Sequence, residues 1–437
     1  MGTFAYFPHT EEDIKVMLER VGVSSVDELY ADVPKEFIHK GEYDLPSAMT
    51  EEEVRAWFES LASRNTRLKV FAGAGAYDHY TPSVIPYITS RSEFLTAYTP
   101  YQCEISQGTL RYIFEWQSLI CSLTGLDVAN ASMYDGPTAA AEAMRMCVAC
   151  TRKRNTVVAS SALLPCVLST LRTYASYSGI NLVETWDVAE AVAEGTLDLA
   201  GVIVPSINRF GIVESHLGLS SLVHEMGGLL VEYCDPSALA VVKTPAEWGA
   251  DIAVGDGQSL GIPLCYGGPY VGFMACRSEW MRKLPGRIVG QTADAAGRRA
   301  FVLTLQAREQ HIRREKATSN ICSNESLMAL WCTVYLSVMG PEGMRKLNAI
   351  CYERSHYLHS QLLATGKFAD PFEGRPFLKE FALQPLCDVA RLQQVLLDNG
   401  FFGALSTEEG YVTFCVTERR TREEIDALVK VIKEAEL

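Results

Sequence analysis

Residues 251–269, Asp251-Ile-Ala-Val-Gly-Asp-Gly-Gln-Ser-Leu-Gly-Ile-Pro-Leu-Cys-Tyr-Gly-Gly-Pro269, decide how this chain is read. An apolar strand runs up to Asp256 and a short polar loop follows. Glycines at 261, 267 and 268 let the backbone pass close to a neighbour. A cofactor bound as an imine needs an amine nucleophile in such a loop. Gln258 and Ser259 stand there instead, and neither forms a Schiff base. The stretch has the frame of an imine-forming site without its reacting group, so the chain reads as half of an enzyme.

Working outward, residues 156–277 alternate short apolar strands with helices: NTVVAS, INLVETW, LAGVIVPS, GLLVEYCD, ADIAVGD and YVGFMACR. Unbroken Val/Ile/Leu runs suit strands buried on both faces, and the alternation predicts a large, mainly parallel sheet in an α/β fold. The last strand is expected to run antiparallel, because only LGIPLCYGGP joins it to its predecessor. Residues 66–324 form the expected large domain. It opens with long irregular stretches, FAGAGAYDHYTPSVIPYI and YTPYQCEISQG, before a helix from near Thr109 to Leu123 that stops at Gly125. Residues 325–437 read as a smaller α/β C-terminal domain whose last helix is capped by Thr421 with Glu424. Residues 1–65 read as a helical arm wrapped on a neighbour. Thr10 precedes its first helix, and Ser25-Val-Asp-Glu28 and Thr50-Glu-Glu-Glu53 are expected capping boxes.

The 437 residues carry a net charge of -14, which argues against nucleic acid and anionic membrane as general partners. No apolar run approaches the roughly 20 residues of a membrane span. The N-terminus lacks the basic start and apolar core of a signal peptide. Thirteen cysteines scattered through apolar segments read as reduced thiols, so a cytoplasmic location is expected. Cys147-Val-Ala-Cys150 has no second pair to complete a zinc site and is read as helix packing; no metal is expected.

Four segments carry candidate chemistry. Ser132-Met-Tyr-Asp-Gly-Pro-Thr138 leads into an Ala-rich helix whose free amides suit a phosphate, though a capped, closely packed helix looks the same. Asp235 ends a buried strand 23 positions before Gln258. A carboxylate there can pair with a protonated pyridine nitrogen, as pyridoxal enzymes require, or simply form a turn. Tyr98, Tyr101, Gln102 and Glu104 crowd one loop, as in a small-molecule wall or an interface hot spot. Gln310-His311-Ile-Arg-Arg-Glu-Lys316 precedes Thr318-Ser-Asn320, a cationic stretch fit for phosphate or carboxylate, or a solvated helix end.

Together, YTPYQCEISQGTL, NASMYDGPTAAAEAM, DGQSLGIPLCYGGPYVGFMA and EQHIRREKATSNIC resemble the glycine cleavage system P-protein, specifically the N-terminal half that many bacteria make as a separate subunit 1. The resemblance runs over essentially the whole chain. It implies a fold type I pyridoxal-phosphate transferase-like architecture and an α2β2 assembly with subunit 2. It also implies decarboxylation of glycine and transfer of the aminomethyl group to the lipoyl arm of H-protein. The family's reactive lysine lies in the other half, so pyridoxal phosphate is expected on the partner and none covalently on this chain. Gln258 and Ser259 then mark the replaced lysine position. Asp235 and Thr138 are the expected cofactor-site remnants, and Tyr98, Tyr101, Gln102, Glu104, Thr318 and Asn320 the wall lent to the partner. Cys103 stands where the family usually has proline. Two rivals remain from the residues alone. One is a self-sufficient pyridoxal lyase using Lys243 or Lys316; the other is a noncatalytic binding or regulatory protein of the same fold.

Overall fold

The structure, a computed structural model, describes residues 6, 8–151, 154–196, 198–317 and 319–436. It forms two compact units, Met1–Thr66 and Arg67–Leu437.

In the first unit, helices Glu11–Val21 and Glu51–Ser63 begin with reciprocal caps. Thr10 Oγ1 accepts from the Asp13 amide while the Asp13 carboxylate accepts from the Thr10 amide at 2.8 Å; Thr50 and Glu53 repeat the arrangement at 2.7 Å. The box expected at Ser25 does not form. Val26–Tyr30 is a single 3₁₀ segment, and Glu28 accepts from the Ser24 amide at 3.0 Å, one residue earlier than the motif requires. No residue of the two helices is buried, and Ile14, Met17, Val21, Trp57 and Phe58 stay exposed.

The second unit is built around a seven-stranded sheet. Its strands are numbered after β1 (Lys69–Phe71), which belongs elsewhere: β2 (Val128–Ala129), β3 (Thr156–Ser160), β4 (Asn181–Thr185), β5 (Leu199–Pro205), β6 (Leu229–Tyr233), β7 (Ile252–Asp256) and β8 (Gly272–Cys276). The order is β2-β8-β7-β6-β5-β3-β4. From β4 to β7 neighbours run parallel; β8 is antiparallel to β7, pairing Val254 with Met274, as the short connection requires. Helices cover both faces, which is why β3, β5 and β6 are buried along their whole length. On one face Met144 and Cys147 of helix Gly136–Thr151 pack with Val157, Val231 and Val254. Gly201 makes that approach possible, since a Cβ there would meet Cys147 Sγ at 2.6 Å. On the other face Trp116 and Ile120 of helix Gln107–Thr124 pack with Phe273 and Tyr335. Gly125 ends that helix in the left-handed region.

Two further strands, β9 (Ile288–Ala293) and β10 (Arg299–Thr304), form a separate hairpin. A long helix, Ser326–Ala364, then breaks at Gly340 (φ 60°, ψ 176°), where Pro341 removes a backbone donor. Beyond it, β11 (Phe368–Ala369), β12 (Glu380–Pro385), β13 (Phe401–Gly403), β14 (Leu405–Ser406) and β15 (Val412–Cys415) follow. Four of them form an antiparallel sheet, β11-β12-β15-β14, while β13 pairs in parallel with β1, matching Phe71 to Gly403. Residues 69–71, expected to open the large domain, therefore join the C-terminal part of the chain. The final helix, Arg422–Glu434, starts with the expected Thr421–Glu424 box.

Candidate functional site

The ends of β6 and β7 bring Asp235, Asp256, Gln258 and Ser259 around a cavity of about 30 Å³, which Tyr77, Leu164 and Tyr233 help to line. Gln258 is fully buried, and its amide is bound on every side. Oε1 accepts from the Tyr77 amide at 2.7 Å, while Nε2 donates to the carbonyls of Tyr77 and Ile262, each at 2.8 Å. Where an imine-forming lysine would project, this chain has a structural amide that fastens the 73–79 loop to the sheet. Gly261 (φ +79°) holds the turn after it, because a Cβ there would lie 2.3 Å from the Tyr335 ring. A Cβ at Gly267 would meet nothing within 4 Å, and one at Gly268 only the Tyr270 backbone nitrogen at 3.3 Å, so these two glycines serve the turn.

Asp235 is not free to meet a pyridine nitrogen. Its Oδ2 lies 2.6 Å from the ammonium of Lys379, the residue just before β12, which is only 3 % exposed. Oδ1 accepts from the Ser237 amide at 3.0 Å, the Ser237 hydroxyl at 2.9 Å and the Ser259 hydroxyl. Lys379 also donates to Ser237 Oγ at 2.8 Å and lies 4.0 Å from the centre of the Tyr77 ring. Burial opposes the charge on Asp235, but Lys379 and the hydrogen bonds from Lys379 and Ser259 outweigh it and hold the carboxyl below its ordinary range. Burial likewise opposes the charge on Lys379, and Asp235 overrides it, keeping the ammonium protonated and unfit as a nucleophile.

The network continues through His79, whose Nε2 is 3.1 Å from the Lys379 ammonium. An ammonium only donates, so Nε2 is the acceptor and Nδ1 carries the proton to Glu418, 2.7 Å away. Burial, then the Lys379 charge, depresses the imidazole pKa and keeps the ring neutral. Next to Lys379, the Glu380 carboxylate accepts from the Ala74 amide at 2.6 Å and the Tyr77 hydroxyl at 3.1 Å. Lys379, His79 and Glu380 were not among the sequence candidates. Their one signal is a charged pair breaking the apolar run Pro376-Phe-Leu-Lys379-Glu380-Phe-Ala-Leu.

Thr138 stands in the first turn of helix Gly136–Thr151, the expected phosphate remnant. Its amide donates to Asp135 Oδ1 at 2.7 Å, and the Gly136 amide donates to Asp256 Oδ2 at 2.9 Å. Residue 137 is proline, and the Ala139 amide is taken by the Asp135 carbonyl at 3.0 Å. No amide of that first turn is left for a ligand. Burial drives the Asp256 carboxyl up to about 7, against the pull of the Gly136 and Gln258 amides. The family's cofactor therefore does not fit this cleft. The amine is missing, both charge-bearing ends are occupied by side chains, and about 30 Å³ holds only a water or two.

The aromatic loop forms a second place. Tyr101 is half-exposed and rests on Arg287, whose guanidinium centre lies 5.2 Å from its ring and whose Nη2 donates to the phenol oxygen at 3.3 Å. Arg287 is buried beside Glu309 (Nε to Oε2, 3.5 Å), and His311 meets the Tyr101 ring edge-on at 5.5 Å. The loop and the 310–322 segment, separate candidates in the sequence, thus meet at Tyr101, directly through His311 and by way of Arg287, which the sequence reading did not single out. Tyr98 and Gln102 are exposed. Glu104 edges a groove of about 740 Å³ shared with Arg111, Arg298 and Phe301. Asn320 is exposed beside buried Ser319, and Thr318 lies outside the described residues. Among the described residues, Tyr101 and Asp235 share no hydrogen-bond partner. Lys243 stacks over Trp248 at 4.3 Å and Lys316 is exposed; neither reaches the end of β7 in the hydrogen-bond network.

Comparison with known proteins gives the same direction throughout. The model of the family described as glycine cleavage system P-protein matches residues 4–432. The probable glycine dehydrogenase (decarboxylating) subunit 1 of Moorella thermoacetica is 48% identical, over 98% of this chain and 99% of the relative. A crystal structure of glycine decarboxylase (P-protein) of the glycine cleavage system, in inhibitor-bound form, superposes with a TM-score of 0.89 at 41% identity, covering 99% of this chain and 100% of that one. Burkholderia pseudomallei sphingosine-1-phosphate lyase, at 13% identity and TM-score 0.67 over 93% of this chain and 94% of that one, shares the fold alone. The architecture is that of the fold type I pyridoxal-phosphate enzymes. This chain belongs to the glycine cleavage system P-protein family.

Proposed function

We propose that this chain is subunit 1 of a two-chain glycine dehydrogenase (decarboxylating), and that it completes an active site whose pyridoxal phosphate and reactive lysine belong to subunit 2. The carrying observation is the saturated Gln258 amide just beyond β7, with the ammonium that reaches Asp235, that of Lys379, held in an ion pair. A chain that offers no amine there can take part in imine chemistry only through another polypeptide.

Its contribution in this reading is a wall. Tyr98, Tyr101, Gln102 and Glu104, with Asn320, face the partner's glycine site and the entry path of the lipoyl arm of H-protein. Exposed Tyr80, Tyr87, Leu95, Tyr98 and Ile105 support this, since aromatic and aliphatic groups left open along one stretch mark a covered surface. Arg287 fixes Tyr101 from below, so the phenol is pre-positioned rather than free to rotate away. The assembly is an α2β2 heterotetramer working in the cytoplasm, where decarboxylation of glycine is followed by transfer of the aminomethyl group to H-protein.

The test is to mix the chain with a candidate subunit 2 and lipoylated H-protein and to follow exchange of labelled bicarbonate into glycine. Exchange in the mixture, with none from this chain alone, supports the reading. Exchange by this chain alone, or none from any combination with an active subunit 2, contradicts it.

A further inference from the structure

A chain that has lost its cofactor's anchor still faces a physical problem at the old site. The Asp235 side chain is only 11 % exposed, and a carboxylate so withdrawn from water without a counter-charge is costly. The first-turn amides of helix Gly136–Thr151 are equally costly if left without acceptors. A pyridine phosphate would satisfy both ends, with a protonated ring nitrogen at the carboxylate and a phosphate at the helix start. This chain satisfies both by itself.

We infer that Lys379 and the Asp135–Asp256 pair are internal substitutes for the two charged ends of a pyridine phosphate, and that they keep such a molecule out of this subunit. The Lys379 ammonium stands 2.6 Å from Asp235 Oδ2, in the place of a ring N–H donor. The carboxylates of Asp135 and Asp256 accept from the Thr138 and Gly136 amides at 2.7 and 2.9 Å, in the place of phosphate oxygens. The pattern carries the same signs as the absent molecule: positive at the strand end, negative at the helix start. An incoming pyridinium meets an ammonium already held by Asp235, Ser237 and His79, and an incoming phosphate meets carboxylates. The remaining cavity of about 30 Å³ leaves no room for the ring between them. Cofactor therefore partitions to the partner by exclusion here as well as by the missing lysine. This rests on the reading that the partner holds the cofactor, but its test needs no partner.

The test is equilibrium dialysis of the full chain against pyridoxamine phosphate, which carries the ring and the phosphate and forms no imine with a lysine. The unaltered chain is expected to show no saturable site. The double variant Lys379→Ala/Asp256→Ser frees Asp235, removes one carboxylate and opens the cavity. It is expected to bind one molecule per chain at least about tenfold more tightly than the unaltered chain. A folded double variant that binds no better, or an unaltered chain that binds one equivalent, overturns the inference. If the double variant does not fold, Asp256→Ser alone decides the matter, because it removes the carboxylate that occupies the Gly136 amide and leaves the Lys379–Asp235 pair intact. A melting temperature raised by inorganic phosphate in that variant and not in the unaltered chain supports the inference, and no such rise overturns it. Loss of exchange activity in the reconstituted mixture bears on the function, whereas these binding results bear only on the cleft.

Discussion

The Lys379 ammonium, 2.6 Å from Asp235 Oδ2, joins the residue just before β12 to the segment just after β6 within the second unit. Removing either partner leaves the other charged and buried. Lys379→Met is expected to cost about 3–5 kcal/mol, and Lys379→Met/Asp235→Asn to recover most of it, since replacing a whole buried pair is often nearly neutral. Urea denaturation of the two singles and the double measures this; additive losses would show that the pair is not coupled.

Glu232, in the middle of β6, is 1 % exposed, and neither carboxylate oxygen has a hydrogen-bond partner among the described residues. Burial pushes its carboxyl up to about 8. A raised carboxyl pKa favours the fold while both states are protonated, so its stabilising share is fully present below the unfolded value. The share declines as pH rises toward 8 and is gone above it. The total loss is on the order of 5 kcal/mol. Glu232→Gln should flatten the stability profile between pH 5 and 8, and thermal melts across that range read the slope. An unchanged slope would assign the pH dependence elsewhere.

Tyr101→Phe removes the hydroxyl that Arg287 holds at 3.3 Å and keeps the ring on the guanidinium. Assembly with subunit 2, read by size-exclusion, is expected to survive. Bicarbonate exchange by the reconstituted complex is expected to fall by roughly tenfold or more. An undiminished exchange rate removes Tyr101 from the wall.

Gly261→Ala places a methyl 2.3 Å from the Tyr335 ring at a backbone φ of +79°. The strained backbone and the clash together should cost about 2–4 kcal/mol. A melting temperature within experimental error of the unaltered chain would mean that the turn after Gln258 relaxes freely.

The fold was legible because burial on both faces leaves a plain mark. Leu199–Pro205 is apolar throughout, and the loop between β7 and β8 is too short for anything but an antiparallel return. Local caps were legible where the whole motif is local, at Thr50 and Thr421. The Ser25 box failed because Ser24 competes for the same glutamate. Pairing of β1 with β13 could not be seen, since no spacing rule links Phe71 to Gly403. The cleft was half legible. The absence of lysine at Gln258 is a local fact, whereas the counter-charge that holds Asp235 comes from Lys379, 144 positions beyond it, and its meaning exists only once β12 is docked. Arg287 escaped notice for the same reason: it reads as one more surface cation until its burial beneath Tyr101 is seen.

The most direct measurement is borohydride reduction of the assembled two-subunit complex with pyridoxal phosphate, followed by peptide mapping of the reduced lysine. The account predicts one stoichiometric pyridoxyl-lysine per pair of subunits, carried wholly by the partner, with this chain unlabelled. A stoichiometric pyridoxyl group on Lys379, or on any other lysine of this chain, would contradict it.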